Sequence, residues 1–239
     1  MAKGLQRKGI ERRNKMLYVA IKLFLKNGYE KTTTASIAKE AGMTPSSFFA
    51  AFESKEELLL TLVKIMFSNQ FESASQFGGV SDDPVLLYSI ETSLQMYIAE
   101  LSEPLRELYV MAYSLATTSE YIYSSMAGRL QKIFSEYMPD AELKDFYEMD
   151  IASAGIMRAY MAKQCDLYFT IENKLTRFLH SSLTLYSVPK EVQAQITDAV
   201  LKMDLRSYAE QMIQKMIEMA EAGIFPVGKE KIIPTTLAK

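Results

Sequence analysis

The sequence predicts an all-α protein, with an N-terminal three-helix helix-turn-helix domain followed by a larger helical domain. Three observations carry this. Apolar residues recur at spacings of three and four almost everywhere. Strand-like alternation is scarce, and the 17 glycines and prolines of the 239 residues fall mostly between periodic runs. Charge also divides the chain: residues 1–55 hold 11 Lys+Arg against 4 Asp+Glu, a net of +7, while residues 56–239 carry a net of −9. A near-neutral total of −2 thus hides one basic end, as expected where a single domain meets nucleic acid.

The elements follow in order. Residues 1–11 are basic and read as an irregular arm. A first helix is expected over 12–26, with Leu17, Ala20, Ile21, Phe24 and Leu25 as its apolar stripe and Gly28 as its stop. Thr33 is a good N-cap for a short second helix that turns Ile37, Ala38 and Ala41 inward. Gly42 supplies a tight turn. Thr44 caps a third helix with Pro45 at its first position, where the missing N–H costs nothing. Phe48 and Phe52, four apart, belong to the core. Ser54-Lys55-Glu56-Glu57 reads as a capping box that opens a fourth helix reaching toward Gly78-Gly79.

Beyond this, prolines and glycines mark helices over 83–101, 104–117, 119–138, 141–169, 173–186 and 189–222. The tail from Ile224, with Pro226, Gly228 and Pro234, reads as a loop or docked arm. The expected domains are 1–57 and 58–239.

Several classes are excluded or disfavoured. No run approaches the ~20 apolar residues that span a bilayer, so no membrane partner is expected. The single Cys165 excludes an internal disulfide and fits a reducing, cytoplasmic setting; it reads as a small buried hydrophobe. His180 is the only histidine, with no neighbours at metal-ligand spacing. There is no Walker-type loop, dinucleotide fingerprint or convincing triad. The expectation is no enzyme, no metal and no cofactor.

The segment 33–55 carries the chemistry. Gly28-Tyr29, Thr33, Ile37-Ala38, Ala41-Gly42, Thr44, Phe52, Lys55-Glu56 and Leu58 together resemble the DNA-binding domain of the tetracycline-repressor (TetR) family. The resemblance covers 12–62, about a quarter of the chain. It implies a homodimer on double-stranded DNA, each third helix entering a major groove of a palindromic operator. It also implies a small-molecule effector, bound in the larger ligand-binding and dimerisation domain, that lowers operator affinity. Where that family usually has Tyr and often His, this chain has Phe49 and Ala51. The phosphate bond that a Tyr hydroxyl gives is therefore missing at Phe49.

Site expectations follow. Thr33 reads as a helix cap, a phosphate contact, or both. The resemblance places Lys55 at a phosphate; the plain alternative is a solvated lysine. Base readout falls to Thr44, Pro45, Ser46 and Ser47 with Phe49 beside them, and no Arg, Asn or Gln stands there for a bidentate contact. Arg7, Lys8, Arg12 and Arg13 are candidates for a minor-groove arm, or simply a solubilising tail.

After residue 55 stand 12 Tyr, 12 Met and 8 Phe, which suit an adaptable apolar pocket or an ordinary core. Met111, Tyr113, Tyr123 and Met126 are the effector candidates. Arg158, inside an apolar run, reads as an anion contact or a structural ion pair. Small residues 152–155 allow close helix approach at a dimer interface or within the subunit.

Overall fold

The computed structural model describes residues 2–75 and 83–222. Eleven helices and no strands occur among them: α1 (Ala2–Asn27), α2 (Thr34–Glu40), α3 (Pro45–Phe49), α4 (Lys55–Ser75), α5 (Pro84–Leu101), α6 (Glu103–Ala112), α7 (Ala116–Phe134), α8 (Leu143–Ala162), α9 (Ile171–Leu185), α10 (Lys190–Leu201) and α11 (Leu205–Glu221). No described helix is long and apolar enough to cross a membrane.

The N-terminal unit packs α1, α2 and α3 around Leu17, Ala20, Phe24, Ile37, Ala38, Phe48 and Phe52, all essentially buried. Gly28 and Gly42 take positive φ, +84° and +69°, which lets the chain turn sharply after α1 and after α2. α4 begins beside this unit, and its body packs on α5, α6 and α7. α1 also touches α6 and α11, so the first helix belongs to both layers.

α5 is the axis of the larger domain. Every residue from Tyr88 to Met96 is buried, as expected of a helix with neighbours on all sides. Ser89 and Thr92 satisfy their hydroxyls by donating to the Val85 and Tyr88 carbonyls one turn back. At the C-terminal end of α5, Glu100 accepts from the fully buried Lys174 ammonium of α9, from Arg106 of α6 and from the Cys165 N–H. That network ties three helices and a loop together.

Several boundaries depart from the sequence reading. α1 starts at Ala2, not at residue 12: its opening turns hold no proline, and their Ala, Leu, Gln, Lys and Arg offset Gly4 and Gly9. α6 ends at Ala112 and α7 starts at Ala116, where Ser114 turns its hydroxyl onto the Val110 carbonyl. α8 stops at Ala162: Asp166 accepts from the Tyr168 and Phe169 N–H groups, an Asx turn that opens a loop over 163–170. Cys165 lies in that loop, half-buried rather than in the core. The expected last helix is two, broken where Asp204 caps α11 by accepting from the Ser207 N–H. The expected tail from Ile224 and the Gly78-Gly79 stop lie outside the described residues.

Candidate nucleic-acid interface and effector cavity

The helix-turn-helix is held by local hydrogen bonds. Thr33 Oγ1 accepts from the Ser36 N–H at 3.0 Å, and Ser36 Oγ accepts from the Thr33 N–H at 3.0 Å, a reciprocal cap that fixes the start of α2. The turn is closed by the Gly42 N–H on the Lys39 carbonyl and the Met43 N–H on the Ala38 carbonyl.

α3 is five residues long. Thr44 stands at its cap position, yet its hydroxyl bonds no backbone N–H. It pairs at 2.9 Å with both the Ser46 and Ser47 hydroxyls. The expected cap is therefore a small exposed cluster of three hydroxyls over the uncapped N-terminus of α3. Pro45 is exposed beside it. Phe49 presents 60 % of its surface, its ring edge-on to buried Phe48 at 5.5 Å.

Two cations anchor this unit. Arg13 is not an arm residue. Its guanidinium lies 4.1 Å from the Phe52 ring centroid, donates to the Ala51 carbonyl that follows α3, and reaches Glu57 and Thr61 of α4. An N-terminal helix has no extended backbone to thread a groove, which also removes the arm reading from Arg12. Arg12 is half-buried on α1, Lys8 is exposed, and the Arg7 side chain lies outside the described residues.

Lys55 Nζ donates to the Tyr29 and Thr32 carbonyls, both at 3.0 Å, and sits 4.1 Å from the Tyr29 ring centroid. Two of its three N–H groups thus hold the loop before α2. Desolvation lowers its pKa, opposed by Glu30 and Glu107. Burial, with some help from Glu56, pushes Tyr29 up to about 12.

In the larger domain, an apolar cavity lies between α4, α5 and α6, lined by Leu59, Leu62, Met66, Gln95, Tyr109 and Tyr113 among others. Its free volume is about 20 Å³, room for roughly one water molecule. Tyr113 is the one effector candidate that lines it; its hydroxyl donates to Gln95 Oε1 at 2.7 Å. Met111 is half-buried on another side of α6. Met126 is buried in α7 but does not line the cavity. Tyr123 is half-buried and packs edge-on against Tyr147. Arg158 is exposed: the inward stripe of α8 is Phe146, Asp150, Ser153, Ala154, Met157 and Met161, and one further residue turns the side chain ~100° away. Of the small residues, Ser153 and Ala154 pack inside the subunit while Ala152 is exposed.

Three residues went unread in the sequence. Gln95 is a cavity-wall residue on an all-round buried helix. Glu107 meets the N-terminal unit and leaves no local signal. Asp150 was legible as a carboxylate at core register in α8. No group of three or more metal-ligating side chains occurs among the described residues.

Residues 17–62 match the family model described as bacterial regulatory proteins, tetR family. Curated relatives include the HTH-type transcriptional regulator TcmR of Streptomyces glaucescens, 34% identical over 34% of this chain and 36% of that one. The HTH-type transcriptional regulator QacR of Staphylococcus aureus is 27% identical over 53% of this chain and 64% of its own. The uncharacterized HTH-type transcriptional regulator YuxN of Bacillus subtilis is 31% identical over 33% of this chain and 27% of its own. The chain thus spans between about a quarter and two thirds of the length of these relatives. The helix-turn-helix segment of this chain, residues 17–62, is thus similar to that of the tetR family of bacterial regulatory proteins.

Proposed function

We propose that the protein is a homodimeric, DNA-binding transcriptional repressor whose grip on a palindromic operator is released by a small, largely apolar or aromatic effector. The observation that carries the DNA reading is the exposed face of α3. Thr44, Ser46 and Ser47 offer hydroxyls, and Pro45 and Phe49 offer apolar contact to thymine methyls. Thr33 adds a hydroxyl at the start of α2, and Lys55 keeps one N–H for a phosphate. Such contacts discriminate bases weakly, so DNA shape shares the specificity.

Two-fold symmetry is proposed through the exposed face of α8, where Ile151, Ala152 and Ala159 lie outward. α6 supports the effector reading: Tyr109 and Tyr113 line the cavity, while Glu107 of the same helix touches the loop before α2. The limited free volume means an effector must spread α4, α5 and α6, which gives it different affinities for two conformers. The proposed location is the cytoplasm, where operator DNA is.

A second reading has its own observation. Leu167 and Tyr168, 86 % and 89 % exposed at the tip of the 163–170 loop, favour a protein partner as the regulator in place of a small molecule. Sedimentation of the protein with operator duplex, followed by a melting-temperature screen of small molecules, separates them. Two chains per half-site pair and a stabilising compound that releases DNA support the repressor reading. DNA binding indifferent to every stabilising compound favours the partner reading.

A further inference from the structure

A buried carboxylate oxygen with no partner among the described residues lies in the larger domain. Asp150 holds a core position of α8, is 6 % exposed, and its Oδ2 has no hydrogen-bond partner among the described residues. An ionised carboxylate buried without donor or cation is among the costliest groups a core can hold. Its charge helps raise the pKa of three tyrosines, Tyr88 from α5, Tyr113 at the end of α6 and Tyr186 beyond α9, and the Tyr88 hydroxyl meets Ser153, one turn along α8, at 3.2 Å. Burial pushes its pKa up to about 7, and no ion pair to it occurs among the described residues.

The surroundings are aromatic. Tyr186 stacks on Phe134 with centroids 4.2 Å apart, and Tyr88 stands edge-on to Phe134 and Tyr186 at 5.2 and 6.0 Å. The neighbouring hydroxyls are mostly paired: Tyr88 Oη with Ser182 Oγ at 2.6 Å and Ser153 Oγ at 3.2 Å, Tyr113 Oη with Gln95. Among the described residues, neither Tyr186 Oη nor Asp150 Oδ2 has a partner at hydrogen-bond distance. Unmet polarity is thus negative and set among ring faces. Tyr113 links this cluster to the cavity, since it lines the one and feels the charge of the other.

We propose that Asp150, with Tyr88, Tyr113 and Tyr186 around it, is the anchor for an organic monocation with an apolar or aromatic body, reached from the side where Tyr113 lines the cavity. This inference rests on the effector role proposed above. The cation supplies the charge partner that Asp150 lacks, and the ring faces attract it further. A neutral ligand leaves Oδ2 unpaired, and an anion adds a like charge.

The test uses the full chain with phenyltrimethylammonium and its neutral isostere tert-butylbenzene at the same concentration, by melting temperature and calorimetric titration. The expected result is about tenfold tighter binding of the cation, with the preference lost in Asp150→Asn. Titrations near pH 6.5 in two buffers of different ionisation enthalpy add a second readout. Cation binding should expel a fraction of a proton from the wild-type chain and none from Asp150→Asn. Equal affinity for the two probes, no binding of the cation, or a cation preference that survives the substitution overturns the proposal. Should Asp150→Asn fail to fold, the wild-type probe preference and proton release decide alone. Release of DNA is read separately. Cation binding at Asp150 without DNA release leaves the site standing and removes its effector role; DNA release by other compounds with no cation binding overturns the site alone.

Discussion

Glu107 of α6 closes on Gly28, the residue that ends α1. Its Oε1 accepts the Glu30 N–H at 2.6 Å, and its Oε2 lies 2.1 Å from where a Cβ on Gly28 would sit. The helix that walls the cavity therefore ends its other face on the backbone of the helix-turn-helix unit. Gly28 serves twice here, since its φ of +84° disfavours any side chain and its bare Cα admits the carboxylate.

Gly28→Ala should destabilise the chain by about 2 kcal/mol, combining the left-handed penalty with displacement of Glu107. Glu107→Ala should cost under about 1 kcal/mol, because the lost bond is exposed. It should nonetheless change how strongly an effector alters DNA affinity. Chemical denaturation and operator titration with and without effector check both. An effector response unchanged in Glu107→Ala would remove the link from the coupling.

Lys55→Ala leaves the Tyr29 and Thr32 carbonyls without their cation. The expected loss is about 1 kcal/mol of stability, discounted for partial exposure. DNA binding should weaken on every sequence alike, and the salt slope should fall by ~1 if the third N–H reaches a phosphate. A stability loss with an unchanged slope would assign Lys55 wholly to holding the loop.

Phe49→Ala should leave the melting temperature nearly unchanged, since most of the ring is exposed, and weaken operator binding. Phe49→Tyr should strengthen it if the missing hydroxyl costs a phosphate bond. Equal binding by all three side chains would remove Phe49 from the interface.

The pH dependence follows from Asp150. The folded carboxyl keeps its proton up to about pH 7, while an unfolded one releases it near the usual carboxylate value of about 4. The folded chain therefore holds the extra proton between those values, and stability falls as pH rises through that window. The cost is absent below about pH 4 and on the order of 4 kcal/mol above pH 7. Asp150→Asn should raise stability most above pH 7 and least near pH 4. Glu91, also pushed up to about 7 by burial against the pull of Arg129, adds a parallel fall that the substitution leaves in place. Melting temperatures across pH 4 to 8 compare the two chains.

The helix-turn-helix unit was legible because its signals are local. Thr33 with Ser36, Gly28, Gly42 and Pro45 each act within four residues, and Ile37, Phe48 and Phe52 keep helical register. What escaped was set by contacts distant in the chain. Arg13 reads as one more charge in a basic run, yet Phe52, Glu57 and Thr61 fix it from 39 to 48 residues away. Glu107 gives no hint of Gly28. The missed breaks at Asp166 and Asp204 were local Asx and capping signals outweighed by apolar periodicity on either side.

The central claim is tested most directly by selecting binding sites from a random duplex pool with the purified full chain at one stated salt concentration. The expected result is a palindromic motif bound by two chains, with affinity that falls as salt rises. Enrichment of no sequence, or of a motif without two-fold symmetry, would contradict it.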